Sequence, residues 1–567
     1  MLFFDFEVFK MDWLIVAIDP INKKEFVIHN NKDELVSLYN DYKNDIWVGF
    51  NCRNYDTYIL KAILLDFNPK EVNDFIIVEG KKGYQYSKLF NKISLNVYDV
   101  YLGFNGLKTL EAFQGHSIYE SEVDFNLDRK LNPAELAETI EYCRNDVMET
   151  INVFIEQKQE FDAIFGLIKM YNLPLSYIGK TKTQLAATVL GAKKPLVDRK
   201  DEFDITLVDT LRIEKYKHVV DWFLDQDNRD YSKSLVTEVS GVEHTFAWGG
   251  LHGAVEQYHD TGLFLHVDVN SYYPNLMRVY NFLSRNVVDP EKYNEIINLR
   301  LKYKKEKNPL QAPLKIVLNS TYGGSKDKYN QLYDPLMANN VCVNGQLLLL
   351  DLLEHLEAIP SYKLIQSNTD GLIIKIDEDD FNLADDICYE WETRTGMGLG
   401  FDYIKEIHQK DVNNYLFIDE DGKIESKGAY VKKLSKLDYD MPIINKAIVS
   451  YLVNKTPVED TINECDDLIE FQKIYKVSSK YEFATHNGRR VHGNVFRVFA
   501  STAMGDTYLG KCKTEGATNE KFGNCPESCF IDNGDVTNKK VNWKLDKQWY
   551  IDLTKKRLED FGIKMEW

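Results

Sequence analysis

The chain has 567 residues, 44% of them hydrophobic and 13% aromatic. That is ample for buried cores and implies roughly three to five folding units. No apolar stretch reaches the ~18 uncharged residues of a membrane span, and Met1–Glu7 has neither a basic region nor a long apolar core, so a cytoplasmic protein without signal peptide or membrane partner is expected. The net charge of −19 argues mildly against a nucleic-acid partner, although binding depends on where charges sit. Basic clusters stand at Lys302, Lys304, Lys305 and Lys307, at Lys432 and Lys433, and at Lys555, Lys556 and Arg557.

Along the chain, Leu2–Phe9 and Trp13–Asp19 read as a strand hairpin and Trp47–Phe50 as a short buried strand. Ala134–Gln157 reads as a long helix started by Asn132-Pro133. Residues 160–240 read as mostly helical. Gly179-Lys180-Thr181 is no phosphate-binding loop, because Pro174 stands where that loop needs glycine. Leu263–Val269 is an apolar strand, Tyr293–Lys307 a basic amphipathic helix, and Pro313 starts another helix. Leu364–Ile376 reads as a hairpin turning at Asn368-Thr369-Asp370-Gly371, and Leu545–Phe561 as a terminal helix. The eight cysteines are sparse. Cys512, Cys525 and Cys529 form the one cluster, without an evident fourth metal ligand.

Asp5 and Glu7 are two apart on one strand, so both face the same way. Their mutual repulsion is relieved by a cation, the arrangement a divalent metal wants. Asn51, Tyr55 and Asp56 follow in Asn-Cys-Arg-Asn-Tyr-Asp. Tyr142 and Asp146 are four apart on the long helix and share a face. Together these residues resemble the three exonuclease motifs of proofreading DNA polymerases. The resemblance implies two Mg²⁺ or Mn²⁺ ions held by Asp5, Glu7, Asp56 and Asp146 for an in-line displacement, with Tyr142 orienting water. It also implies that Asn51, Tyr55 and Thr109-Leu110 grip a single-stranded 3′ end. The lysine that assists small phage enzymes has no clean match: Leu127 stands there, with Arg129 nearby.

Asp268-Val-Asn-Ser-Tyr-Tyr-Pro274, Lys315-Ile-Val-Leu-Asn-Ser-Thr-Tyr-Gly323 and Ser367-Asn-Thr-Asp370-Gly371 resemble motifs A, B and C of family B DNA polymerases, in that order. The resemblance implies Asp268 and Asp370 as shared ligands of two metal ions, with the Val269 carbonyl a further ligand. Motif C usually reads Gly-Asp-Thr-Asp-Ser, so Asn368 replaces its first acid; activity is expected to survive with an altered metal preference. Triphosphate binding falls to Arg300, Lys304 and Lys315 and to the amides after Asp268, including Ser271 and Tyr272. Tyr273 would exclude ribonucleotides, and Tyr322 and Asn319 would sit under the nascent pair. Gly249-Gly250 resembles a Tyr-x-Gly-Gly element, and Lys427-Gly-Ala-Tyr430 a Lys-Lys-x-Tyr element that holds primer-template DNA.

The implied fold is α/β and α+β multidomain: a ribonuclease H-like 3′→5′ exonuclease (1–160), a helical region (161–240), palm (241–285), short fingers (286–325), palm (326–426), then thumb and C-terminal region (427–567). Length and the start at Asp5 resemble compact bacteriophage enzymes acting in the host cytoplasm. Lys315 lies only 47 residues after Asp268, and Asp370 only 48 after Tyr322, so the insertions of protein-primed enzymes are not expected. Neither are a terminal-protein primer and strong strand displacement. The expected partners of this monomer are primer-template DNA and dNTPs. Three other readings stay open: a nuclease whose polymerase-like half only binds DNA, a single-strand-binding replication scaffold, and a family A polymerase. The last lacks its arginine, since Gln311 stands there, and its His-Asp-Glu motif.

Overall fold

Leu2–Val8 (β1) reads Leu-Phe-Phe-Asp-Phe-Glu-Val and is apolar almost throughout, as a strand covered on both faces should be. It pairs antiparallel with Trp13–Asp19 (β2) and parallel with Ile46–Gly49 (β4). Lys24–His29 (β3) and Asn96–Asp99 (β5) complete a sheet of order β3-β2-β1-β4-β5. Three helices matter to its chemistry: Asp56–Leu64 (α1), Leu107–Phe113 (α2) and Pro133–Glu156 (α3). The last begins as the sequence implies. The Asn132 side chain accepts from the Ala134 and Glu135 amides, Glu135 closes the capping box, and Pro133 occupies the first turn. This is a computed structural model, and it describes residues 1–565.

The chain divides into two units. The first comprises Met1–Gly179, Leu434–Ile443 and Glu459–Ile551; the second comprises Lys180–Lys433, Ile444–Val458 and Asp552 onward. Most of the region read as thumb and C-terminal region (427–567) therefore belongs with the N-terminal part. Arg497 supplies a physical reason. It lies on the central strand of a three-stranded antiparallel sheet (Lys473–Lys476, Val495–Ala500, Cys529–Ile531) and is fully buried. A buried guanidinium is costly unless its donors are used. Here they reach the carbonyls of Ala112 at 2.9 Å, His116 at 2.7 Å and Gly534 at 2.6 Å, and Gln472 Oε1 at 2.9 Å. Ala112 lies on α2, so this clamp holds the helix that carries Lys108.

The second unit is built on a nine-stranded sheet of order β14-β13-β12-β9-β11-β10-β8-β7-β6. Its strands are Ser234–Val239 (β6), Val242–Ala247 (β7), Gly250–Ala254 (β8), Tyr258–Val269 (β9), Lys363–Asn368 (β10), Gly371–Ile376 (β11), Leu399–Asp411 (β12), Asn414–Asp419 (β13) and Ile424–Lys427 (β14). Its helices include Tyr272–Val279 (α4), Glu291–Lys305 (α5), Gln311–Lys326 (α6) and Pro335–Leu356 (α7), of which α7 packs against β8. The motif B helix thus begins two residues before Pro313. Helix α7 is long and apolar enough to cross a membrane by length and composition, and 94% of that window is buried inside the protein.

Residues 160–240 are less helical than their sequence suggests. Helices span Lys158–Met170, Lys182–Val189 and Lys217–Leu224, but 191–216 is mostly irregular. A polar stripe on α7 takes up its backbone donors. Asn340 accepts from the Thr206 amide at 2.7 Å, Asn344 from Val208 at 2.9 Å and Asp351 from Arg212 at 2.5 Å. Glu354 accepts from Glu214, Lys215 and Tyr216. With these amides satisfied by side chains, the segment needs no helix of its own.

Candidate active sites

In the first unit, β1 presents Asp5 and Glu7, the N-terminus of α1 presents Asp56, and α3 presents Asp146 one turn after Tyr142. The Asp56 carboxylate accepts from the Phe6 amide at 3.1 Å, which fixes it against β1 between the two strand acids in sequence. All four acids resist ionisation. Burial raises Asp5 and Glu7 well above the usual carboxylate range; Asp56 and Glu7 add to it at Asp5, and Asp146 and Asp56 at Glu7. Burial pushes Asp56 up to about 7 and also raises Asp146. Carboxylates crowded in this way fit a divalent cation, which relieves the repulsion and takes hard oxygen donors. Cys143, which no motif in the sequence singles out, joins them: its Sγ is 3.8 Å from Asp5 Oδ2, and the ligand atoms of Asp5, Glu7 and Cys143 lie within 4.8 Å of one another.

The cation in this cluster is Lys108. Its Nζ pairs with Asp146, lies 3.3 Å from Glu111 Oε2, and stands 4.7 Å from the centre of the Tyr142 ring. Burial opposes its charge, but Asp146 and Glu111 outweigh that and raise its pKa. The basic residue near Leu127 is engaged elsewhere: Arg129 forks onto Glu135 at 2.6 and 2.7 Å at the start of α3. The only sequence signal for Lys108 is its place directly before Thr109-Leu110. Those two residues are themselves buried, at 6% and 8% exposure, and the Thr109 hydroxyl has no hydrogen-bond partner. Asn51 has a left-handed backbone (φ 56°) and donates its amide to Asp99 at 2.8 Å, while the Tyr55 hydroxyl donates to Asn73 at 2.7 Å.

In the second unit, antiparallel pairing of β9 and β11 sets Gly371 opposite Asp268, and the Val269 amide donates to the Asp370 carbonyl at 2.9 Å. Motif A and motif C are thus joined through backbone, and burial, then Asp268, raise the Asp370 pKa. Asn368 serves the turn: its Oδ1 accepts from the Thr369 amide at 2.9 Å and lies 3.0 Å from His252 Nδ1. Two residues not anticipated from sequence flank Asp268. His266 Nε2 is 3.4 Å from its Oδ1, and His266 Nδ1 is 3.8 Å from Asp402 on β12. The three form a second group able to hold a metal ion.

No protein-family model matches the sequence. One curated relative, DNA polymerase 1 of Sulfurisphaera ohwakuensis, is 25% identical over 199 residues, which span 34% of this chain and 22% of that protein. Over that stretch the chain is similar to a DNA polymerase. The family B DNA polymerase of the hyperthermophilic archaeon Pyrobaculum calidifontis aligns with all of this chain and 78% of its own, at a TM-score of 0.43 and 15% identity.

Several residues assigned from the family B motifs meet at a cavity of about 330 Å³. Val269, Ser271, Tyr272, Tyr273, Asn319, Tyr322 and Asp370 all line it. The Tyr273 and Tyr322 rings are 4.5 Å apart. Tyr272 is mostly a core residue, since its hydroxyl donates to the Gly345 carbonyl at 2.5 Å. Ser271 starts α4 with a left-handed backbone (φ 47°) and lies 3.4 Å from Arg300 Nη1. Lys304 and Lys315 are exposed on α5 and α6 and do not line the cavity.

Of the flanking elements, Gly250 abuts Thr369 of the motif C turn, and a β-carbon on Gly249 would meet open space. Lys427 is exposed at the end of β14, and the Tyr430 hydroxyl donates to Asp560 at 2.9 Å. Gly428, where the second family lysine would stand, has φ 96°, and a β-carbon there would overlap the Asn413 carbonyl, so a side chain is excluded. Cys525 and Cys529 sit in an apolar cluster with Phe496 and Phe522. Neither they nor Cys512 fall in a metal-compatible group among the described residues.

Proposed function

We propose that this chain is a DNA-directed DNA polymerase with a 3′→5′ proofreading exonuclease, of the compact bacteriophage type. The supporting observation is that two carboxylate centres, in the motif order of family B, each fall within one unit. Asp5, Glu7, Asp56 and Asp146 form the exonuclease centre, and Asp268 and Asp370 the polymerase centre. Both are oxygen-donor sets suited to Mg²⁺ or Mn²⁺, two per centre, which would lower the pKa of the attacking hydroxyl or water and neutralise charge on the phosphate.

The protein's own groups do the rest. The β9–β11 pairing holds Asp268 beside Asp370. Tyr273, held by Tyr322, walls the cavity where a ribose 2′-hydroxyl would project. Arg300, Lys304 and Lys315 provide positive charge for the triphosphate. In the exonuclease centre, Tyr142 orients water and Lys108 balances the charge of the scissile phosphate beside Asp146. The short spacing between motifs favours nucleic-acid primers over a protein primer, and modest strand displacement.

One gel tests the assignment. A labelled primer-template is incubated with wild type, Asp5→Ala and Asp370→Ala, with and without dNTPs. Degradation lost only in the first variant and extension lost only in the second is the expected result. The engagement of Asn368 by its own turn favours a second reading, a nuclease with a DNA-binding polymerase-like half. Degradation without extension by the wild type would select it.

A further inference from the structure

We propose that Phe104 is a stacking platform for a base of the single-stranded 3′ end entering the carboxylate centre of the first unit. The proposal rests on the exonuclease reading of that centre. Phe104 is 85% exposed, and Leu102 beside it is 53% exposed. A lone exposed aromatic needs no explanation, but this one stands on a loop anchored at both ends.

On one side, the Asp99 carboxylate accepts from the amides of Tyr101 at 2.9 Å, Asn51 at 2.8 Å and Arg53 at 3.0 Å. The Tyr101 ring packs on Phe50 at 5.1 Å. One carboxylate thus ties the Phe104 loop to the loop that leads into Asp56. On the other side, the chain enters α2 and delivers Lys108 to Asp146. Lys108 stands four positions after Phe104, at most about 14 Å of extended chain. That is the span of a few nucleotides stacked at about 3.4 Å.

The charge around the loop suits the same ligand. Arg53 is exposed on the tied loop, and Lys476 Nζ lies 3.4 Å from where a β-carbon on Gly106 would stand. In a chain of net charge −19, a cation on the tied loop and another beside Gly106 favour a phosphate backbone carrying flat bases over an apolar protein partner. Single-strand binders combine cations for phosphates with aromatic faces for bases in this way, without reading sequence.

The test uses the full chain as wild type, Phe104→Ala and Phe104→Trp. Two substrates are compared, single-stranded oligothymidylate and the p-nitrophenyl ester of thymidine 5′-monophosphate, which has no upstream base. Phe104→Ala is expected to raise KM for the oligonucleotide roughly tenfold, the effect of losing one base–aromatic stack. It should leave kcat and hydrolysis of the ester near wild type, and Phe104→Trp should restore KM. An abasic residue upstream of the 3′ terminus should make the wild type behave like Phe104→Ala. An unchanged KM overturns the proposal and leaves the loop to a protein partner; an equal loss on the ester overturns it in favour of a structural role. If the wild type cleaves neither substrate, the exonuclease reading fails. Quenching of a 2-aminopurine base placed near the 3′ end then decides on stacking: loss of the quench in Phe104→Ala supports it, and an unchanged quench overturns it.

Discussion

A β-carbon on Gly371 would overlap the carboxylate of Asp268 and stand 2.9 Å from the Val267 carbonyl oxygen. The residue after Asp370 is therefore part of the geometry of Asp268, although family B motif C usually has serine there. Gly371→Ser should force Asp268 out of position and slow primer extension by about 100-fold, the scale of an ångström-sized misplacement. Exonuclease activity should be unchanged. Single-turnover rates of extension and degradation on one primer-template would check both.

Lys108 is the one cation pairing with Asp146 among the ion pairs described. Lys108→Ala should lower the exonuclease rate roughly 100-fold, as removal of a preorganised electrostatic group does, with extension unaffected. An equal loss of both activities would instead indicate damage to folding. Lys108→Arg keeps the charge and should recover part of the rate.

The raised carboxylate pKa values set the pH dependence of stability in metal-free protein. Asp56 and Glu111 both sit near 7 because they are buried, against ordinary values of 3.8 and 4.5. Between those values the folded form holds protons that the unfolded chain has released, so stability falls as pH rises. The contribution is fully present below about pH 4 and lost as pH passes through about 7. Melting temperatures in EDTA should decline across that window for the first unit. Mg²⁺ should flatten the decline, because a cation offsets the charge that deprotonation creates.

Arg497 is buried with its donors spent on carbonyl oxygens and Gln472. Arg497→Met should leave those acceptors without partners and cost at least ~3 kcal/mol, given the strength of charged hydrogen bonds. Urea unfolding should show a lower midpoint for the first unit. Exonuclease activity should fall more steeply on warming than polymerase activity, because α2 loses its clamp.

Local spacing gave the pairs, and the resemblance to polymerase motifs grouped them into two proposed centres. Asp5 and Glu7 share a strand face, Tyr142 and Asp146 share a helix face, and motif A, B and C residues recur in order. The structure brings Asp268 to Asp370 through strand pairing and lines one cavity with Tyr273 and Tyr322. Lys108 was not legible, because it reaches Asp146 across 38 residues and nothing in its neighbours announces that approach. The irregular course of 191–216 was hidden for a related reason: its partners are side chains on α7, more than a hundred residues later.

The sequence by itself determined which side chains carry charge and which face of its own element each occupies, because strand and helix periodicity are local properties of the chain. It also determined that Asn368, not an acid, stands at the head of motif C. Only the tertiary structure decided that Asn368 is bound to its own turn, that Gly371 must lack a side chain beside Asp268, that His266 and Asp402 flank that carboxylate, and that Arg497 joins 459–551 to the N-terminal unit. Each of these depends on strand register or on buried donors finding acceptors far along the chain. Those partners are chosen by packing and hydrogen-bond satisfaction in three dimensions.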